Sequence, residues 1–354
     1  MLADQSGTPS RLAKSAGGGL TNYERFRGLP SQSTLGVDAE QLRLLTRVAR
    51  LYHERGMRQN EIAERLSISQ VRVSRLLKRA TEIGIIRTAV ITPPDVHADL
   101  EERLEARFGL REVIVVDSDD ASDGQHLLTA LGNAGASYLE STLMAHERIG
   151  VSSWSSTLLA LVDLMKPRPT QVADVVVQVQ GGLGNASTQS YATRLIDGLA
   201  RLTGAQPIFL AAPGLVASRA IRNAIVADPT IRSVLDAYEQ LTMLIAGVGS
   251  LQPSPLIQES GNAIGVVEQD ELRKRGAVGD ICLHFFDEHG VAIRAKIDQR
   301  VVGISESALR AVPRRIAVAG GSRKYLAIRA ALRGEWLDVL VTDLAVAERL
   351  VSEP

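Results

Sequence analysis

From Asp38 onward, apolar residues recur at three- and four-residue steps (Leu42, Leu45, Val48, Ala49, Tyr52) and predict a helix that ends near Gly56. A second, shorter helix over about 59–66 places Ile62, Ala63 and Leu66 on one side. Ser67-Ile68-Ser69 reads as a turn. Ser69 is placed to cap a third helix that carries Val73, Leu76, Leu77 and Ala80 on its apolar side. The pattern is a helix, short turn, helix unit behind a supporting helix. A short extended run, IIRTAVI, follows. Pro93 and Pro94 break it, and an amphipathic stretch from about His97 to Phe108 leads onward.

From Glu112 the period changes. REVIVVD, a helix to about Leu143, ERIGVS, ADVVVQVQ, PIFLAAPG, LTMLIAGVG, DICLHFF, RRIAVAG and LDVLVTD are apolar runs separated by helical stretches. Short Val/Ile-rich runs between helices predict a largely parallel sheet covered by helices. The first 36 residues are rich in Gly, Ser, Thr and Gln without apolar periodicity, and a disordered tail is expected there. The expected organisation is therefore a tail over 1–36, a helix-turn-helix domain over 37–92, a linker over 93–112 and an α/β domain over 113–354.

Composition narrows the function. At 354 residues, 45% hydrophobic and 23% charged, the chain is neither a single small module nor a disordered or fibrous protein. It has no apolar run near the roughly 18 residues of a membrane span, and the first 20 residues lack the apolar core of a signal peptide. A cytoplasmic protein with no membrane partner is expected. The single Cys282 excludes an internal disulfide and a cysteine zinc cluster, and reads as a packing residue. Forty basic and forty acidic residues cancel overall but not locally. Residues 41–90 hold 11 Lys/Arg against 4 Asp/Glu, a balance of +7, whereas residues 91–354 hold 25 against 32, a balance of −7. A basic module is joined to an acidic one, which suits a polyanion partner for the first.

The third helix fits the recognition helix of a DNA reader. Its polar side carries Gln70, Arg72, Ser74, Arg75, Lys78 and Arg79. Arg reads guanine and Gln reads adenine in the major groove, so Gln70, Arg72 and Arg75 are candidates for base contacts. Ser69, Ser74, Lys78 and Gln59 are candidates for phosphate contacts.

These motifs carry a resemblance. QNEIAERLSISQVRVSRLLKRATEIGIIRTAV and LEERLEARFGLREVIVVD, then VQVQGGLG, FLAAPG, GVGS, LRKRGAVGDICLHFFD and AVAGGSRKYLAIRAAL, resemble the SorC family of bacterial sugar-responsive transcription regulators in order, over roughly 310 of the 354 residues. The resemblance implies a one-component regulator, read here as a repressor of a carbohydrate or polyol catabolic operon. Its C-terminal α/β domain would be Rossmann-like, similar to sugar-phosphate isomerase folds. Its partners would be double-stranded operator DNA, a sugar, polyol or sugar-phosphate effector, and further copies of itself in a dimer or tetramer. No cofactor is implied.

Three loops in the α/β region lie where strand ends meet helix starts. In GVSSWSST (150–157), backbone amides and the hydroxyls of Ser152, Ser153, Ser156 and Thr157 can hold an anion or sugar hydroxyls. Trp154 offers a flat face to a sugar ring. A serine-capped helix with a packed tryptophan is the plain alternative. Relatives that take phosphosugars tend to have a glycine-rich form of this loop, so its serines leave an unphosphorylated sugar or polyol open. QGGLGNAS (180–187) lacks the third glycine and the downstream acid of a dinucleotide site. The resemblance makes Gln180 and Gln189 effector contacts. In AGGSRK (319–324), Ser322 would cap a helix and Lys324 would lie near its positive end, and the resemblance places a ligand-binding lysine here. Asp280 can accept hydrogen bonds from sugar hydroxyls, or serve only as a turn residue.

An isomerase- or deaminase-like enzyme acting on sugar phosphates is the alternative. However, the six histidines show no metal-binding spacing, and no Gly-x-Ser-x-Gly elbow or P-loop appears. His284 reads as a satisfied core histidine, and nothing in the sequence places Asp280 beside Glu268. A DNA-binding architectural protein without a ligand would not need so large an α/β domain.

Overall fold

The computed structural model describes residues 38–87, 96–117, 124–182, 186–252 and 264–353. The expected tail, Pro93-Pro94, most of IIRTAVI and the centre of the QGGLGNAS loop lie outside the described residues. The chain divides into two compact units, 1–91 and 92–354.

In the first unit, helices α1 (Ala39–His53), α2 (Gln59–Leu66) and α3 (Gln70–Glu82) enclose a small core of Leu45, Val48, Ala49, Ile62, Val73, Leu76, Leu77 and Ala80. The local chemistry sets the ends. Asp38 caps α1 through Gln41 N (2.7 Å), and Ser67 adopts a left-handed conformation (φ 53°) that stops α2. The Ser69 hydroxyl accepts from Arg72 N (3.2 Å) and starts α3, as its position predicts.

The second unit opens with α4 (Ala98–Phe108), inside the stretch expected to be a linker. This helix packs on strand β1 (Glu112–Val116). Its Glu105 and Glu101, one turn apart, accept hydrogen bonds from Val113 N and Val115 N at 2.9 Å each. The outer amides of an edge strand are thereby satisfied.

Then follow α5 (Gly124–Thr142), β2 (Glu147–Val151), α6 (Ser156–Leu164), β3 (Ala173–Gln178), α7 (Ala186–Thr203), β4 (Gln206–Ile208), α8 (Arg219–Ala227), α9 (Pro229–Asp236) and β5 (Met243–Ala246). After them come β6 (Gly249–Ser250), α10 (Val266–Lys274), β7 (Ala277–Ile281), β8 (His284–Asp287), α11 (Glu306–Ala311), β9 (Arg315–Val318), α12 (Tyr325–Arg333), β10 (Val339–Asp343) and α13 (Leu344–Ser352).

Among the described residues the main sheet has seven strands, all pairs parallel, in the order β1-β10-β9-β5-β2-β3-β4. Apart from the edge strand β1, this is the doubly wound dinucleotide-fold order, running outward from β2 in one direction and from β5 in the other. Both faces are covered. Val175, Val177, Ala317 and Leu340 point into one core, and Val176, Ile316, Val318, Val339 and Val341 into the other. Burial on both faces explains why these strands read as unbroken apolar runs.

DICLHFF is not one strand, as its apolar run suggested. It folds as an antiparallel hairpin, β7 to β8, through a two-residue turn at Cys282 (φ 53°) and Leu283 (φ 64°). Positive φ at both positions is the geometry that a two-residue hairpin demands, here imposed on residues that disfavour it. With β6 the hairpin forms a separate three-stranded sheet.

The base of β2 holds a buried ion pair, Arg314 Nη2 to Glu147 Oε1 at 2.6 Å, with both side chains under 10% exposed. Glu147 also accepts from the Thr242 hydroxyl. Glu147→Ala would strand the guanidinium in the interior and is expected to cost about 3–5 kcal/mol of unfolding free energy in urea melts. The double change Glu147→Ala with Arg314→Met should recover most of that loss.

Candidate functional sites

The strand order reverses between β2 and β5, and there a cavity of about 710 Å³ opens. The chains leaving two adjacent parallel strands turn to opposite faces at such a point, so their carboxyl ends part and leave a crevice. Ser152, Trp154, Ser156 and Thr157 line the cavity from the end of β2, and Gly247–Gln252 from the end of β5. Gln180 contributes from beyond β3, Asp280 and Cys282 from the β7–β8 hairpin, and Arg323 and Lys324 from beyond β9. Seven of the nine residues expected at an effector site are thus brought to one cavity.

Ser153 and Gln189 are not among the lining residues. Ser153 turns inward, donates to Gln180 O (2.7 Å) and accepts from Gln178 Nε2 (2.9 Å). Gln189 is exposed on α7, whereas the cavity is met by Tyr191, two residues and more than half a turn further round the helix.

Several lining or supporting residues escaped the sequence reading. Gln178, buried, fixes the loops by accepting from Leu210 N (3.1 Å) while its own carbonyl accepts from the Tyr238 hydroxyl (2.9 Å). Arg323 and the Gly247–Gln252 segment were also missed. The only signal for the latter was the GVGS tetrapeptide following an apolar run. Cys282, read as packing, is buried and also borders the cavity.

The charged pair of the site is set by burial. The Asp280 carboxyl is pushed up to about 6 by removal from water, opposed by a hydrogen bond from Leu283 N (3.0 Å) and by the field of Lys324. It fits against β6 because residue 249 is glycine. A Cβ there would lie 2.1 Å from Asp280 Oδ1. The Lys324 ammonium is held below the ordinary lysine range, first by burial and then by repulsion from Arg323, with Asp280 opposing. The two groups make no direct ion pair. Trp154 Nε1, buried, has no hydrogen-bond partner.

The 319–324 loop differs from expectation in one detail. Ser322 does not cap α12. Gly321 (φ 89°) donates its N–H to Asp343 Oδ2 at 2.6 Å, and the chain tightens into a 3-10 turn over Ser322–Lys324. Lys324 therefore occupies the N-cap position of α12 itself. His284 is half-buried rather than a core residue, and its ring is satisfied through Nε2 by Ile304 O (2.8 Å). Glu268 is paired with Arg300 (2.7 Å) and does not line the cavity, so no carboxylate pair forms with Asp280.

In the first unit, Ser69, Gln70, Arg72, Ser74, Arg75 and Lys78 are all exposed along α3, and Gln59 is half-buried at the start of α2. A second cleft of about 600 Å³ on this unit is bordered by Arg43, Arg47, Arg50, Arg55 and Arg65. Arg50 is paired with Glu54 (2.8 Å), whereas among the described residues Arg43, Arg47 and Arg55 have no acidic partner. The spacing of Arg43, Arg47 and Arg50 at three and four residues was the unread sequence signal.

Comparisons with known proteins cover both units. The family model Sugar-bind, "Putative sugar-binding domain", matches residues 93–352. The chain is 32% identical over 319 residues to the Deoxyribonucleoside regulator of Bacillus subtilis (strain 168), covering 90% of this chain and 100% of that protein. It is 30% identical to the Sorbitol operon regulator of Klebsiella pneumoniae, covering 89% and 99%. The crystal structure of the full-length sorbitol operon regulator SorC from Klebsiella pneumoniae superposes with a TM-score of 0.67 at 29% identity, over 89% of this chain and all of that one. These relatives are named as transcriptional regulators and not as enzymes. The chain belongs to the SorC family of sugar-binding transcriptional regulators.

Proposed function

We propose that this regulator represses a carbohydrate or polyol catabolic operon, holding duplex operator DNA through α3 and releasing or tightening it when a sugar, polyol or sugar phosphate enters the cavity. The observation that carries the effector reading is the cavity at the point of strand-order reversal, where polar and charged side chains stand among apolar ones. It combines hydroxyls, a flat indole, a carboxyl and two cations, the equipment for a polyhydroxylated ligand with or without an anionic group. Assembly as a dimer or tetramer would pair recognition helices on two half-sites.

Thermal shift against sugars, polyols and their phosphates tests this directly, since ligand at about 100 times its dissociation constant adds roughly 2.7 kcal/mol of stability. Stabilisation of the wild type, lost in Lys324→Ala, is the expected result. A panel without a single hit would count against the cavity as an effector site.

Asp280 supplies a pH test. Its folded pKa lies above the ordinary carboxyl value, so its contribution to stability is complete below about pH 4 and is lost as pH rises through about 6. Asp280→Asn should therefore stabilise the ligand-free protein above pH 7, by up to about 3 kcal/mol before screening through the cavity mouth, and by little at pH 4. Equal effects at both pH values would contradict this.

On DNA, Arg72→Ala is expected to relax base preference at one position. Lys78→Ala should weaken binding across sequences and lower the salt slope by about one. Unchanged binding in both variants would displace α3 from the groove.

A further inference from the structure

The recognition helix carries one exposed residue that neither its packing nor its charge explains. Val71 is 62% exposed and takes no part in the core of the unit. Every other exposed position of α3 is polar: Gln70, Arg72, Ser74, Arg75, Lys78, Arg79, Thr81 and Glu82. Val71, Arg75 and Lys78 recur at four- and three-residue steps, so they form one stripe along the side opposite the buried Val73, Leu76, Leu77 and Ala80. Val71 lies in the first turn, one turn before Arg75 on the crest of that stripe.

For the fold, valine is a poor choice here. A β-branched side chain loses rotamer freedom in a helix, and an exposed one recovers nothing by burial. In the major groove the same side chain has a partner. The thymine C5-methyl is the apolar feature that distinguishes base edges there, and apolar side chains pack on it. The N-terminal residues of a recognition helix are those that reach base edges.

We propose that Val71 is a specificity-determining residue that packs its isopropyl group on a thymine methyl, in a base step next to the one met by Arg75. This rests on the reading of α3 as the DNA-recognition helix.

The test uses the full chain and a duplex obtained by selection from a random library. Each thymine of the enriched site is replaced in turn by deoxyuridine, which deletes the methyl group and nothing else. The expected result is at least one thymine where deoxyuridine weakens wild-type binding about fourfold, the worth of one buried methyl group. V71S should show that weakening already on thymine, with no further loss on deoxyuridine. Position 71 is exposed, so V71S is expected to keep the wild-type helix content and melting temperature. Wild-type binding indifferent to every deoxyuridine would overturn the proposal, as would a V71S protein that stays as sensitive as wild type. A library that yields no enriched site would remove the DNA reading itself, and the role of Val71 with it.

Discussion

Two neighbouring parallel strands, β2 and β5, send the chain to opposite faces of the sheet, and the site depends on that divergence. Backbone leaving each strand must satisfy its amides without a neighbour. Ser152 N donates to Ile245 O at the end of β5 (3.1 Å), and the Ser152 hydroxyl accepts from Gly247 N (3.4 Å), which ties the two departing loops to one another. The remaining loops close around the opening. The β7–β8 hairpin carries Asp280 to its wall, and the 3-10 turn after β9 carries Lys324. A doubly wound sheet thus supplies a binding crevice before any residue is chosen for chemistry.

The choice of residues adds a cost that a ligand can offset. Asp280 and Lys324 are partly withdrawn from water, each shifted against its charged form, and they do not neutralise one another by direct contact. The hairpin turn beside them holds Cys282 and Leu283 at positive φ, with Leu283 N bonded to Asp280. Such a site is arranged for partners it does not itself contain. A ligand that offers hydrogen-bond donors to Asp280 and acceptors to Lys324 would satisfy both, and any difference in its affinity for two states of the regulator becomes a difference in DNA binding.

Much of this was legible in the chain. Periodicity located α1 to α3 and their buried residues because amphipathic helices keep strict spacing, and Ser69 marked the start of α3 by its capping chemistry. Two-sided burial made Val175 to Val177 and Val339 to Val341 readable as strands. The hairpin at Cys282-Leu283 was not legible, since neither residue belongs to the Gly/Asn set that normally marks such turns. Ser153 and Gln189 illustrate a second limit. Sequence proximity to a loop does not say which way a side chain leaves it, and Gln178, which orders the loops from inside a strand, looks in sequence like any polar residue in an apolar run. Arg323 was overshadowed by Lys324 beside it, although both reach the cavity.

The proposed function makes the cavity and α3 two parts of one linked equilibrium. Linkage requires that a compound changing DNA affinity by some factor have its own affinity changed by DNA through the same factor. The direct measurement is a pair of titrations with the compound that most stabilises the protein: duplex DNA into protein with and without the compound, followed by anisotropy, and compound into protein with and without DNA, followed by calorimetry. Equal factors, both abolished by Lys324→Ala, are the expected result. A compound that binds the cavity while DNA affinity stays unchanged would contradict the linkage.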